Sequence, residues 1–402
     1  MNARGLTTGS GLARIALRFV LLIGVVNFFA DFSYEGARSI NGAFLASLGA
    51  SSIVVGLVAG FGEFIGFGLR SVTGFAADRT HRYWVFALAG YVVNMAAIPA
   101  LALAGNWPVA AMLMIAERTG RAIRKPSVDT MLSYAGKELG SGWVFGLNEV
   151  LDQFGATIGP LVVAWVLLVR GQFTDGYAVL LFSAVLCIVI VLAARYYFPK
   201  PHELDTRKPV SLQATGFHRT YWLFAGAGAL IAAGFADFSL IAFHFQKTGN
   251  VAPEWIPVLY AAAMATAGIS GLLFGRLMDR YGITVLIVAV LLGGLFAPFA
   301  FLGGFSMAVT GMILWGVGMG AQDSLLKAYL SGIVGRERRG TAFGVFDSIF
   351  GVAWFAGSAA MGYLYSASLT GMILFSVLLQ IAALPVLVHV ARVSRSVNPS
   401  RT

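Results

Sequence analysis

Charge is scarce in this chain. Of its 402 residues only 11% are Asp, Glu, Lys or Arg, where a soluble domain carries roughly 25%. So few ionic groups cannot cover the surface of a water-soluble protein of this length. Cysteine is almost absent: Cys187 is alone, which excludes an internal disulfide, and its apolar surroundings give it a packing role. The five histidines, at 81, 202, 218, 244 and 389, form no metal-ligand spacing. No Gly-(x)4-Gly-Lys-Ser/Thr loop occurs, which argues against direct drive by ATP. No catalytic constellation stands out, so neither an enzyme nor a cofactor is expected. The first thirteen residues lack the pattern of a removable leader.

What the chain has instead is hydrocarbon: 58% of its residues are hydrophobic. The apolar runs are of helix length, each near the ~20 residues that a membrane crossing needs. Twelve are read, at about 14–47, 51–72, 83–104, 108–134, 142–169, 175–198, 219–246, 254–276, 283–302, 306–333, 340–366 and 370–392. The expected fold is all-α and integral to the membrane. Arg and Lys orient it: nineteen lie in one set of loops and tails, two in the other (Arg170 and Lys247), and seven within spans. Both termini are therefore expected on the cytoplasmic side of an inner membrane. This bias accounts for most of the net charge of +10, so nucleic acid is not an expected partner.

Phe-Ala-Asp-Phe-Ser occurs twice, at 29–33 and 235–239. Three further matches follow in order: Gly74-(x)3-Asp78-Arg79 with Gly275-(x)3-Asp279-Arg280, Leu132-Ser133 with Leu330-Ser331, and Gly142-(x)2-Phe145-Gly146 with Gly340-(x)2-Phe343-Gly344. Four matches in register indicate a duplication. The halves are 1–198 and 219–402, two pseudo-symmetric six-helix bundles joined by a polar linker at 199–218.

Ionisable residues inside spans are functional candidates by default. Spans 3, 6, 9 and 12 have apolar centres and are expected to face lipid. Spans 1, 4, 7 and 10 are expected to line a polar cavity. Asn27, Asp31, Glu35 and Arg38 share one face of the first span. Two carboxylates one turn apart in a poor dielectric cannot both ionise cheaply, so one should hold a proton unless a cation is near. That makes Asp31 and Glu35, with Glu149 and Asp152 of the fifth span, the candidates for proton coupling. Arg118 and Arg121 are the deepest cations of span 4. With Asn27, Arg38, Glu63, Asp237, His244 and Asp323 they form the expected substrate cavity. Arg124 and Lys125 fall nearer the cytoplasmic end, where a gate role is expected, with Asp129 pairing to Arg79 or Arg82. Asp323 and Lys327 are spaced to neutralise each other, and so are Glu35 and Arg38.

Gly74-Phe-Ala-Ala-Asp78-Arg79-Thr-His-Arg82 looks like the loop motif of the major facilitator superfamily, with His81 in place of the usual glycine. Gly275-Arg-Leu-Met-Asp279-Arg280-Tyr-Gly282 is its second copy. Gly146-(x)8-Gly155-(x)3-Gly159-Pro160 looks like the antiporter motif of that family's proton-coupled exporters, although Val163-Ala164 replaces the closing glycine pair. Arg118 sits at a position similar to the family's helix-4 arginine. Over its whole length the chain resembles this superfamily. The resemblance implies a monomeric secondary transporter of a small molecule, working by rocker-switch alternating access, with Gly74, Asp78, Arg79, Arg82, Asp129, Asp279 and Arg280 as its cytoplasmic gate. Proton-driven export is the first expectation and proton symport of an anionic solute the second. A receptor or lipid scramblase is the reading from another class. Solute, protons and membrane lipid are the expected partners.

Overall fold

A computed structural model describes residues 9–201, 217–334 and 339–397. Most of the linker expected at 199–218 lies outside them, as does the side chain of Asp279. The described chain is helical. The first half contains α1 (Gly9–Ser47), α2 (Ser52–Thr80), α3 (Tyr83–Ala100), α4 (Trp107–Leu139), α5 (Ser141–Arg170) and α6 (Phe173–Tyr197). The second contains α7 (Arg219–Gly234), α8 (Phe238–Thr248), α9 (Trp255–Tyr281), α10 (Ile283–Gly294), α11 (Phe296–Leu302), α12 (Phe305–Gly320), α13 (Leu326–Ile333), α14 (Arg339–Ala367) and α15 (Leu369–Val397). Interruptions divide three passages, α7/α8, α10/α11 and α12/α13, so these fifteen segments make twelve. Ten passages are long and apolar enough to cross a membrane. The other two are α4, crowded with charge, and α12/α13, interrupted by a π turn at Ala321–Leu325.

Local chemistry accounts for the helix ends. Asn106 caps α4 by accepting a bond from the Val109 N–H at 3.1 Å. Pro126, inside α4, has no N–H to give the Ala122 carbonyl. Thr73 Oγ1 of α2 donates to that carbonyl instead, at 3.0 Å. α9 stops at Gly282, whose φ is +60°, and the matching position after α2 is His81 at φ +53°. The motif thus keeps a positive φ where glycine has been replaced.

The two copies of Phe-Ala-Asp-Phe-Ser differ in backbone. In α1 the string is continuous helix. In the second half the helix breaks after Gly234, and Asp237 starts α8 by accepting the Ser239 N–H at 2.8 Å. The carbonyls around the break have side-chain donors. Gln380 Nε2 donates to Ile231 O at 3.0 Å, Ser376 Oγ to Gly234 O at 2.6 Å, and Trp315 Nε1 to Ala236 O at 2.9 Å. An irregular backbone at membrane depth is tolerated when its polar groups are satisfied within the protein.

The chain folds into two compact units, Met1–Ala37 with Leu69–Pro209, and Arg38–Gly68 with Val210–Thr402. The cut differs from the sequence halves, because the end of α1 and most of α2 belong to the second unit. The first unit is packed around Phe19, Tyr91 and Tyr177, and the second around Phe235, Phe238, Tyr260 and Trp315, all buried.

Candidate functional site

In the first unit α5 docks on α1 with backbone nearly touching backbone. A Cβ at Gly155 would collide with the Phe28 carbonyl oxygen, and one at Gly159 with that of Phe32. Small residues permit such approach between membrane helices. Gly146 of the same motif has no neighbour where a Cβ would stand. The contact brackets Asp31 and brings the polar face of α1 against α4 and α5.

There the charges alternate. Arg121 Nη1 lies 3.8 Å from Glu35 Oε1, and its Nη2 lies 3.8 Å from Asp31 Oδ2. Arg124 Nη2 is closer, 3.4 Å from Asp31 Oδ1, and its Nη1 donates to Asn27 Oδ1 at 3.5 Å. Tyr91 donates to the same Asn27 oxygen at 2.8 Å. Asn27 Nδ2 donates to Asn148 Oδ1 at 2.7 Å, and Asn148 Nδ2 to Asp152 Oδ2 at 3.1 Å. Lys125 Nζ reaches that oxygen at 3.5 Å and Asp129 Oδ1 at 3.7 Å. The polar chain is therefore continuous from Glu35 to Asp129. It sets three buried acids, Glu35, Asp31 and Asp152, against Arg121, Arg124 and Lys125.

The cations differ in access. The Arg124 side chain is 2% exposed, that of Arg121 20% and that of Lys125 27%. Arg121 lies over the Tyr34 ring at 3.9 Å and Arg124 over Tyr91 at 4.6 Å. These faces favour a guanidinium that has left water. The acids differ too. Asp31 has two guanidinium groups, whereas Asp152 Oδ1 is buried without a hydrogen-bond partner.

Several expected residues take other places. Arg124, expected near the cytoplasmic end, is in the middle of the cluster, where its guanidinium meets Asp31 and Asn27. Glu149 is exposed and accepts from Gln153 of its own helix at 3.3 Å; three residues from Asp152, it falls outside the buried cluster. Asp129 pairs with Lys125 one turn before it, and among the described residues neither Arg79 nor Arg82 reaches it. Asp78 accepts from Tyr83 Oη at 3.1 Å, and Arg280 lies over the Tyr281 ring. Arg118 is 4.0 Å from Glu117 and 5.1 Å from the Tyr34 ring. Glu117 accepts from Asn94 Nδ2 at 3.2 Å.

In the second unit Arg38 stands between two acids. Its Nη2 contacts Glu63 Oε1 and Asp237 Oδ2, each at 3.1 Å. His244 Nδ1 is 2.9 Å from Tyr365 Oη. Asp323 and Lys327 are both exposed. The π turn between them removes the α-helical spacing on which their pairing depends, and no ion pair joins them among the described residues. Tyr34, Tyr91 and Asn148 were missed in the sequence. Asn148 carried a signal, since it precedes Asp152 by one turn.

A family model described as Major Facilitator Superfamily matches residues 23–358 and 224–401. An uncharacterized protein of Mycobacterium tuberculosis is 39% identical over 375 residues, covering 92% of each chain. An uncharacterized MFS-type transporter of Methanocaldococcus jannaschii is 26% identical over 361 residues, covering 87% of this chain and 89% of that one. Among solved structures, the peptide transporter POT in complex with sulfate superposes with a TM-score of 0.72 at 14% identity, covering 95% of each chain. The nucleoside transporter NupG gives 0.72 at 13% identity, covering 93% of this chain and 98% of that one. With its twelve helical passages, the chain belongs to the Major Facilitator Superfamily of membrane transporters.

Proposed function

We propose that this chain is a proton-coupled secondary transporter that exports a small molecule across the inner membrane by rocker-switch alternating access. It would act as a monomer with both termini in the cytoplasm. The observation that carries the reading is the alternating buried chain on α1, α4 and α5, in which one acid is held less firmly than the rest. Asp31 lies between two arginines. Asp152 has a single cation, Lys125 at 3.5 Å, on the oxygen that also accepts from Asn148, and its other oxygen is buried without a hydrogen-bond partner. A buried carboxylate with an unsatisfied oxygen is costly as an anion and much less so once protonated.

A proton arriving from outside would therefore bond to Asp152 Oδ1. The neutral acid loses its attraction for Lys125, which keeps Asp129 as its partner. Solute enters by competing with Arg121, the most accessible of the arginines, for Asp31 and Glu35. The proton then leaves Asp152 on the cytoplasmic side as Lys125 returns. Each cation of the cluster already faces at least one acid, so an anionic solute would first have to displace a carboxylate. That balance weighs against anion symport. The helix-5 glycines support export through their likeness to the antiporter motif.

Everted vesicles with an imposed pH gradient, scanned against candidate solutes, provide the test. The expected result is a solute that dissipates the gradient, with the effect abolished in Asp152→Asn. Solute transport by the wild type that never moves protons, or an Asp152→Asn protein that still couples, would overturn the reading.

A further inference from the structure

The three interrupted passages of the second unit all border one small cavity. Its wall includes Ile231 and Phe235 from the end of α7 and its break, Val290 and Gly293 of α10, Gln322 in the π turn, and Gln380 of α15. About 10 Å³ is free to the centre of a water molecule, close to the least that holds one water. The wall is apolar except for its two amides, and both amides serve interrupted backbone. Gln380 Nε2 donates to Ile231 O at the helix-7 break, and Gln322 Nε2 to Gly318 O at 3.2 Å just before the π turn. Gln322 is 7% exposed, and its Oε1 is buried without a hydrogen-bond partner. A buried amide oxygen left unpaired costs more than a typical neutral hydrogen bond returns. π turns tend to occur at working sites, and inserted water is a recognised cause of such irregularity in a helix.

We propose that this cavity is a binding site for one ordered water. The water donates to Gln322 Oε1, takes its second partner from the Gln380 amide, and holds Ala321–Leu325 in the wide π form. The site therefore ties the break between α7 and α8 to the π turn between α12 and α13 through a molecule of solvent, not through side chains alone.

The test is a double-mutant cycle combined with a structure of the full chain in nanodiscs at a resolution that shows ordered water. Val290→Ile adds a methyl group where the water would sit, and Gln322→Met removes the oxygen the water satisfies. The structure should show one solvent peak within about 2.7–3.2 Å of Gln322 Oε1, absent from both single variants. Val290→Ile should lower the thermal midpoint of the wild type but leave the Gln322→Met protein unchanged or raised. An equal shift in both backgrounds, or an empty cavity with Oε1 turned to a protein donor, would overturn the proposal. If Gln322→Met fails to fold, the solvent peak in the wild type and its loss in Val290→Ile still decide.

Discussion

Changing Asp31 to Asn and Asp152 to Asn is the same chemistry at two buried carboxylates on facing helices, with unlike expected outcomes. Asp31 faces Arg124 at 3.4 Å, and that guanidinium is 2% exposed. Removing one partner of such a pair strands a buried charge, at a cost of about 3–5 kcal/mol. Asn keeps one acceptor oxygen, and Asn27 and the Tyr91 face stay in place, so the low end, about 3 kcal/mol, applies to Asp31→Asn. The Arg121 contact adds little, since it is 3.8 Å long and that side chain is 20% exposed. At Asp152, Asn keeps an acceptor for Asn148, and the one cation paired there among the described residues is Lys125, 27% exposed and also paired with Asp129. Its loss should cost less than about 1 kcal/mol, as for partly solvated pairs. Thermal unfolding in detergent measures the first quantity, and proton movement in everted vesicles the second. Asp31→Asn should be clearly destabilised. Asp152→Asn should fold like the wild type but no longer link solute to proton flux. Equal destabilisation of the two variants, or the larger loss in Asp152→Asn, would refute the assignment of firm and loose acids.

Other substitutions probe the packing that places these groups. Gly159→Leu should abolish the folded protein, because the new side chain meets the Phe32 backbone, whereas Gly146→Ala should leave expression and thermal midpoint intact. His81→Gly should stabilise the chain by about 1 kcal/mol, since a left-handed residue with a Cβ costs roughly 1–2 kcal/mol; a lower midpoint would contradict the φ of +53°. Gln380→Leu, which removes the donor to Ile231 O, should cost about 1–3 kcal/mol through an unsatisfied carbonyl, and amide exchange should quicken around Gly234–Phe238.

Sequence legibility followed the range of the forces involved. The passages were readable because hydropathy is summed over twenty residues, and the duplication because short strings recur in order. The stripe of Asp31, Glu35 and Arg38 was readable because helical spacing is local. The partners of those residues were not. Whether Arg124 meets Asp31 or a loop depends on how deeply α5 seats on α1, which Gly155 and Gly159 permit without naming what they touch. The helix-7 break was hidden for a similar reason. The same five residues are helical in α1, and the side-chain donors around the break at the second copy, Trp315, Ser376 and Gln380, lie 79 to 149 residues away. The π turn at Ala321–Leu325 has no local composition to announce it, so the Asp323–Lys327 spacing misled.

The differing backbones of the repeated string change what its aspartates can do. Asp31, within a continuous helix, has both oxygens directed at arginines, so it is a centre of charge and little else. Asp237 gives one oxygen to starting a helix and the other to Arg38. An asparagine there keeps an acceptor to start α8 but gives up the charge that Arg38 meets, leaving the Arg38–Glu63 pair in place. At Asp237 helix initiation and ion pairing are therefore separable by one substitution, and at Asp31 there is only the second to lose. Duplication supplied two identical words, and the neighbours of each have given them different grammar.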